Sequence, residues 1–157
     1  METNKYISPF STRYSSDEMQ YVFSEEFKFK TWRRLWIELA KAEKELGLDI
    51  TDKQIAQLEA HAEDINFEVA RAREREVRHD VMSHVYAYGK QCPDAEPIIH
   101  LAATSCYVGD NTDVIILKKA SEIILKRRRL SSRTLLILPK STKVCPALHI
   151  PIFSLRS

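Results

Sequence analysis

Residues 24–47 read SEEFKFKTWRRLWIELAKAEKELG, and this stretch decides the fold class. Ser24 is a suitable N-cap, and the two glutamates after it suit the positive end of a helix dipole. Beyond the cap, apolar side chains recur at steps of three, one, three, three and four, which keep them on one helical face. That face comprises Trp32, Leu35, Trp36, Leu39, Ala42 and Leu46. Gly47 ends the pattern, so the stretch predicts one long amphipathic helix.

Shorter helices are predicted on the C-terminal side. Thr51 with Gln54 predicts a capping box, and Asn66 predicts the cap of a helix that enters the charged run 71–78. The next helix is expected to stop near Gly89, and Asp110 or Asn111 to cap a final helix from 113 to about 126. The expected core residues are Ile55, Leu58, Phe67, Val69, Ala70, Val81, Val85, Tyr86, Val114, Leu117 and Ile124. No strand pattern competes, so the predicted fold class is all-α.

Composition excludes several protein classes. The chain has 157 residues, of which 44% are hydrophobic, so it can form a core and is not disordered throughout. Three glycines are too few for a sandwich or barrel, and no apolar run reaches the length of a membrane span. The first residues lack the apolar core of a signal peptide. Three scattered cysteines, Cys92, Cys106 and Cys145, predict a reduced, cytoplasmic protein.

The charge changes abruptly near residue 126. Residues 1–125 hold 16 Lys/Arg and 22 Asp/Glu, a net charge of −6, whereas residues 126–157 hold 8 Lys/Arg and no acid, a net charge of +8. The last acidic residue is Glu122. Such a change indicates a linker, a basic tail or a foreign segment.

Three polar clusters could carry chemistry: residues 11–14, residues 78–80, and residues 103–106 with 109–113. Small hydroxyls, backbone N–H groups and arginines suit phosphate or carboxylate oxygens. From the residues alone, these clusters are more readily explained as solvated charges, caps and turns. His79 and His84 lie five apart, the wrong step for a metal pair, and His61 and His100 indicate only packing.

Taken together, four stretches resemble the adenylosuccinate lyase family of the fumarase/aspartase superfamily. They are Ser8–Tyr14, Phe27–Trp36, Glu76–Tyr86 and Ile99–Asp113, in the family's order and within residues 6–125. The resemblance implies an N-terminal helical lyase domain over 1–105 and the start of the long-helix bundle over 106–126. It leaves residues 127–157 as a non-homologous basic tail.

The family eliminates fumarate from adenylosuccinate, and from the succinylated aminoimidazole carboxamide ribotide of purine biosynthesis. In this β-elimination a base removes a proton beside a carboxylate and an acid protonates the departing nitrogen. The resemblance implies substrate-binding residues, with His79 also supporting catalysis. They are Arg13 and Tyr14 at the phosphate end, Arg78, His79 and Asp80 in a second segment, and Thr104 and Ser105 at the succinyl carboxylates.

The resemblance also implies a homotetramer that acts on a small molecule, without cofactor, metal, membrane or nucleic-acid partner. The family's main catalytic histidine, in a Thr-His-x-Gln-Pro-Ala motif, and its serine loop do not occur in this sequence. The chain alone is therefore expected to be inactive. The alternative interpretation is a non-catalytic helical module with a basic tail that binds nucleic acid or another anion.

The tail is also consistent with a shifted reading frame. Back-translation of Ser141–Ser157 permits codons that, read two nucleotides later, give Tyr-Lys-Ser-Leu-Pro-Cys-Leu-Ala-Tyr-Thr-His-Phe-Gln-Pro-Ala-Gln. That run resembles the family's missing histidine motif. The hypothesis is that the sequence from near Arg127 onward is a frameshifted translation of the same gene.

The coding DNA tests this hypothesis. We expect the nucleotides downstream of the Ala120 codon to encode Thr-His-x-Gln-Pro-Ala in the alternative frame. Sequencing both the gene and its transcript gives the answer, and a DNA sequence without that motif contradicts the frameshift.

Overall fold

The fold is all-α, as the sequence predicts. The computed structural model describes residues 6–141, with side chains as far as residue 133. Within this part, six α-helices occur with one π-helical turn, Phe10–Tyr14, and one 3₁₀ turn, Glu96–Ile98. The α-helices are α1 (Asp17–Val22), α2 (Glu25–Glu45), α3 (Asp52–Ala60), α4 (Phe67–Val77), α5 (Asp80–Gln91) and α6 (Ser105–Ser141).

The chain divides into two compact units, Met1–Ala120 and Ser121–Ser157. The first unit contains α1 to α5 and the first part of α6, and the second contains the rest of α6. The three domains expected from the resemblance remain a prediction. Cys145 and the shifted-frame motif in 142–157 lie outside the described residues.

Local capping sets where the helices begin. Ser24 accepts a hydrogen bond from the Phe27 N–H at 3.2 Å, which confirms it as the cap of α2. Thr51 and Gln54 form both halves of the predicted capping box at α3. Asn66 caps α4 as predicted. These side chains satisfy N–H groups that the first helical turn leaves without a partner.

The core of the first unit is built on α2. Trp32 and Trp36 are almost completely buried, and their rings meet edge-to-face with centroids 6.1 Å apart. Buried residues of α3, α5 and α6 pack into the same cluster, among them Leu58, Tyr88 and Val108. The predicted core positions Ile55, Leu58, Ala70 and Val81 are confirmed as buried. Aromatic pairs of this kind add to the stability that area burial gives.

The predicted face of α2 is correct in its first half and wrong in its second. Ala42 and Leu46 are exposed, and Leu35 and Leu39 are only partly buried. The buried face instead continues through Ile37, Ala40 and, unexpectedly for charged residues, Arg33 and Glu43. The apolar pattern of the sequence did not predict this buried face, because two of its residues are ionisable.

The prediction for the last helix is wrong at its start. Neither Asp110 nor Asn111 caps it, because α6 begins at Ser105, and it also extends beyond residue 126 to Ser141. The expected core residues Val114, Leu117 and Ile124 are 64%, 61% and 57% exposed. The buried side of α6 carries Val108, Thr112, Ile116, Ala120 and Ile123. The helix has two apolar faces, and the sequence pattern selected the one that does not pack.

Two smaller boundaries also differ. Residues 11–14, expected in a loop, lie in the π-helical turn, whose carbonyl at Phe10 accepts the Ser15 N–H at 2.7 Å. Helix α5 continues past Gly89 to Gln91. A Cβ at residue 89 would lie 2.8 Å from Cγ of Glu96, so this glycine permits a close approach rather than a helix end.

A buried histidine makes the stability of this fold depend on pH. His84 stacks on the ring of Phe29, with centroids 3.6 Å apart. Burial, followed by the positive charge of Arg33, lowers the pKa of His84 from 6.5 to about 4. Between those two values the unfolded chain binds a proton here that the folded chain does not. The free energy of unfolding therefore falls as the pH decreases from 6.5 towards 4.

The variant His84→Phe should remove this dependence while keeping a ring against Phe29. Between pH 7 and pH 5 we expect the original chain to lose about 2 kcal/mol more stability than the variant. Denaturant unfolding of both proteins at the two pH values measures the difference. Equal losses would show that His84 is protonated as readily in the folded chain as in the unfolded one.

Candidate active site

The predicted residue His79 is the N-cap of α5. Its Nδ1 accepts a hydrogen bond from the backbone N–H of Met82 at 3.3 Å, and its carbonyl accepts from the Ser83 hydroxyl at 2.7 Å. A backbone N–H can only donate, so Nδ1 of the neutral ring carries a lone pair and the proton lies on Nε2. The cap therefore fixes both the orientation and the tautomer of this half-exposed ring.

The proton-bearing nitrogen of His79 faces a second predicted residue. Nε2 lies 3.3 Å from the hydroxyl oxygen of Ser105, which is the first residue of α6. Since Nε2 carries the proton, it donates to the serine oxygen. The contact joins two motifs that are 26 positions apart in the sequence. It also brings together the N-termini of α5 and α6, and the positive dipole ends and free N–H groups there favour anions.

Asp80 places a carboxylate beside the histidine. One of its oxygens, Oδ1, accepts the backbone N–H of Val81 at 2.7 Å and lies 3.9 Å from Nδ1 of His79. The other, Oδ2, lies 4.0 Å from the ammonium of Lys28 on α2. Lys28 rests over the ring of Trp32, 4.9 Å from its centroid. Nothing in the sequence pattern singled out Lys28, although it belongs to a stretch that carries the resemblance.

His100 is a second residue for which the sequence suggested only packing. Its Nδ1 accepts a hydrogen bond from the indole N–H of Trp36 at 3.1 Å. Burial lowers the pKa of His100. The contact with Trp36 agrees with the packing role that the sequence indicated for His100.

Left-handed backbone surrounds the candidate site. Among the described residues other than glycine, positive φ values occur at Arg78 (51°), His100 (65°) and Ala102 (49°). Arg78 ends α4, where its N–H donates to the Glu74 carbonyl at 2.7 Å, and it directly precedes His79. His100 and Ala102 precede Thr104 and Ser105. Such conformations cost about 1–2 kcal/mol each, and they set the path of both segments into the site.

The remaining predicted residues are not joined to this group. Arg13 lies over the ring of Tyr14, 5.7 Å from its centroid, and Tyr14 lines an open cleft of about 370 Å³ between the π-helical turn and α1. Among the described residues, neither Arg13 nor Tyr14 has a hydrogen bond, ion pair or ring contact with the other predicted residues. Thr104 is exposed, and its carbonyl accepts the Tyr107 N–H at 2.9 Å.

The described part of the chain has neither a metal-binding cluster nor a membrane-spanning helix. Its side chains contain no group of three or more His, Cys, Asp or Glu placed to hold a metal ion. No helix in the same part combines the length and apolar character needed to cross a bilayer.

Comparison with known proteins gives one consistent name. No protein-family model matches the chain. Adenylosuccinate lyase of Schistosoma mansoni is 49% identical over 126 residues, and that of Saccharomyces cerevisiae is 50% identical over 127. Adenylosuccinate lyase of Schizosaccharomyces pombe is 49% identical over 125 residues. The aligned parts cover 78–80% of this chain and 26% of each relative, so the chain spans about a quarter of their length.

The strained segment before Ser105 can be tested with a matched pair of variants. Ala102→Gly should raise the free energy of unfolding by up to about 1 kcal/mol, because glycine adopts a positive φ without the alanine's steric cost. Ala103→Gly should lower it by about 0.5–1 kcal/mol, since residue 103 has no such need. Thermal or denaturant unfolding compares them, and effects of the same sign would contradict this backbone path.

Proposed function

Because the chain is related to the adenylosuccinate lyases over about four-fifths of its length, we propose that it represents the N-terminal substrate-binding region of such an enzyme. The whole enzyme would eliminate fumarate from adenylosuccinate and from the succinylated aminoimidazole carboxamide ribotide. The observation that carries the proposal is the contact between His79 and Ser105, which joins two of the four resembling stretches at one point.

The chemistry of this point suits the substrate. Adenylosuccinate carries a phosphate and two carboxylates, and a polyanion of this kind needs cations and N–H donors. Two helix N-termini and the Ser105 hydroxyl meet at this point, and Arg78, which directly precedes His79, adds a guanidinium to the same segment. In the proposed site, Thr104 and Ser105 hold succinyl carboxylate oxygens, and Arg78, His79 and Asp80 form the second binding segment.

His79 is proposed to bind substrate and to support proton transfer. With its tautomer fixed by the Met82 N–H, the ring offers a proton at Nε2 rather than a lone pair. It is therefore arranged as a hydrogen-bond donor towards an anionic group on the side of Ser105. To act as an acid, the ring would first have to gain a second proton at Nδ1, in place of its hydrogen bond with Met82. The base that removes the substrate's carbon-bound proton is proposed to come from a part of the enzyme that this chain does not include.

Arg13 and Tyr14 are proposed to bind the nucleotide phosphate. Neither residue contacts His79 or Ser105. This is expected if the substrate is long and carries its phosphate and succinyl groups at opposite ends. The complete enzyme is proposed to be a cytoplasmic homotetramer, with residues 1–105 as its N-terminal domain and 106–126 as the start of its helical bundle. Residues 127–157 are proposed to be foreign to that architecture.

A chimera tests the proposed function. Residues 1–126 of this chain replace the aligned region of the yeast relative, which is 50% identical there. We expect the purified chimera to release fumarate from adenylosuccinate, whereas the yeast protein without this region and the 157-residue chain alone do not. A folded chimera without activity would contradict the proposal.

A substitution in the same chimera tests the site. His79→Ala should lower turnover by about 10²-fold or more, the usual contribution of a side chain that supports proton transfer. Because it also removes the cap of α5, it should lower the free energy of unfolding by about 1 kcal/mol, which leaves the chimera folded. His61→Ala is the matched control, because His61 pairs with Asp64 on the surface and is expected to leave turnover unchanged. Retained activity together with a lower melting temperature would assign His79 a purely structural role.

A further inference from the structure

The second unit carries a dense cluster of positive charge on α6. Lys126, Arg127, Arg128, Arg129 and Arg133 lie within eight consecutive residues, and all five are exposed. These five residues form the basic segment. No acidic residue follows Glu122 in the sequence, and residues 126–157 carry a net charge of +8.

The basic segment differs from the first unit in how its charges are neutralised. In the first unit, Lys30 lies 2.8 Å from Glu26 and 3.0 Å from Glu63, and Arg71 lies 2.8 Å from Glu25. Among the described side chains, no carboxylate lies within ion-pair distance of the basic segment. Its five charges therefore repel one another with no ion pair to offset the repulsion, and an external polyanion would relieve it.

The positions of these cations around the helix indicate the kind of polyanion. Successive residues of an α-helix are turned by about 100°, so Lys126 and Arg128 point to nearly opposite sides, as do Arg127 and Arg129. A helix that lies on a membrane keeps its charges on one side and apolar residues on the other. The basic segment has cations on every side, which does not suit a flat anionic surface.

A groove with phosphates on both walls does suit this arrangement. The major groove of B-form DNA is about 12 Å wide and admits an α-helix of about 10–12 Å diameter. Four of the five cations are arginines, whose planar guanidinium binds two phosphate oxygens at once. Each cation that contacts a phosphate releases condensed counterions, which makes binding strongly dependent on salt.

We propose that the basic segment of α6 binds the phosphate backbone of duplex DNA without regard to base sequence. The resemblance to the lyase family predicts no nucleic-acid partner, but it covers residues 6–125 and not this segment. The binding depends on exposed charge and helical geometry alone. It is therefore independent of the proposed enzymatic function.

The test measures binding of the full 157-residue chain to a fluorescent mixed-sequence duplex of about 20 base pairs. With five phosphate contacts, a plot of log affinity against log salt should have a slope of about −4.5, an affinity loss of about 500-fold between 50 and 200 mM salt. Replacing Arg127, Arg128 and Arg129 by Gln should reduce the slope to about −2.

The matched control removes the same number of charges from the first unit. Arg71→Gln, Arg73→Gln and Arg75→Gln, combined on α4, should leave affinity and salt slope unchanged while lowering the net charge equally. Circular dichroism checks that both triple variants are folded. The proposal is overturned by absent binding at 50 mM salt, by equal losses in the two triple variants, or by tighter binding to phosphatidylserine vesicles than to the duplex.

Discussion

The packing of the first unit depends on the buried guanidinium of Arg33. Its Nη1 donates to the carbonyl of His61, its Nη2 donates to Oε1 of Gln91 at 2.5 Å, and its planar group lies 4.3 Å from the ring centre of Tyr88. These contacts connect α2 with the turn after α3 and with the end of α5. A buried charge is costly unless it is fully hydrogen-bonded, so these partners can take only a narrow range of positions around it.

The candidate site follows from that constraint at the opposite end of α5. The C-terminal end of α5 is held on α2 by the contact between Gln91 and Arg33. The N-terminal end of α5 also lies against α2, where Asp80 is beside Lys28. Helix α6 is fixed against α2 by the Tyr107 hydroxyl, which donates to the Leu35 carbonyl at 3.1 Å. The contact between His79 and Ser105 is thus a consequence of two helices that are docked separately on α2.

The two parts of the chain differ in what their charges do. In the first unit many charged side chains form ion pairs with one another, and the charge of Arg33 is buried in the core. In the basic segment the charges form no ion pair with the described residues, and they are exposed to solvent. The same difference is visible in composition, because acids and bases are mixed up to Glu122 and only bases follow it.

The sequence by itself determined the all-α class, the caps at Ser24, Thr51 and Asn66, and the burial of Trp32 and Trp36, because capping and periodicity are local properties. The motifs also gave the relation to the lyases. Only the tertiary structure decided which face of α6 is buried, since a helix with two apolar faces can pack on either. It alone joined His79 to Ser105 and placed Lys28 beside Asp80, because contacts between distant segments depend on how whole helices dock.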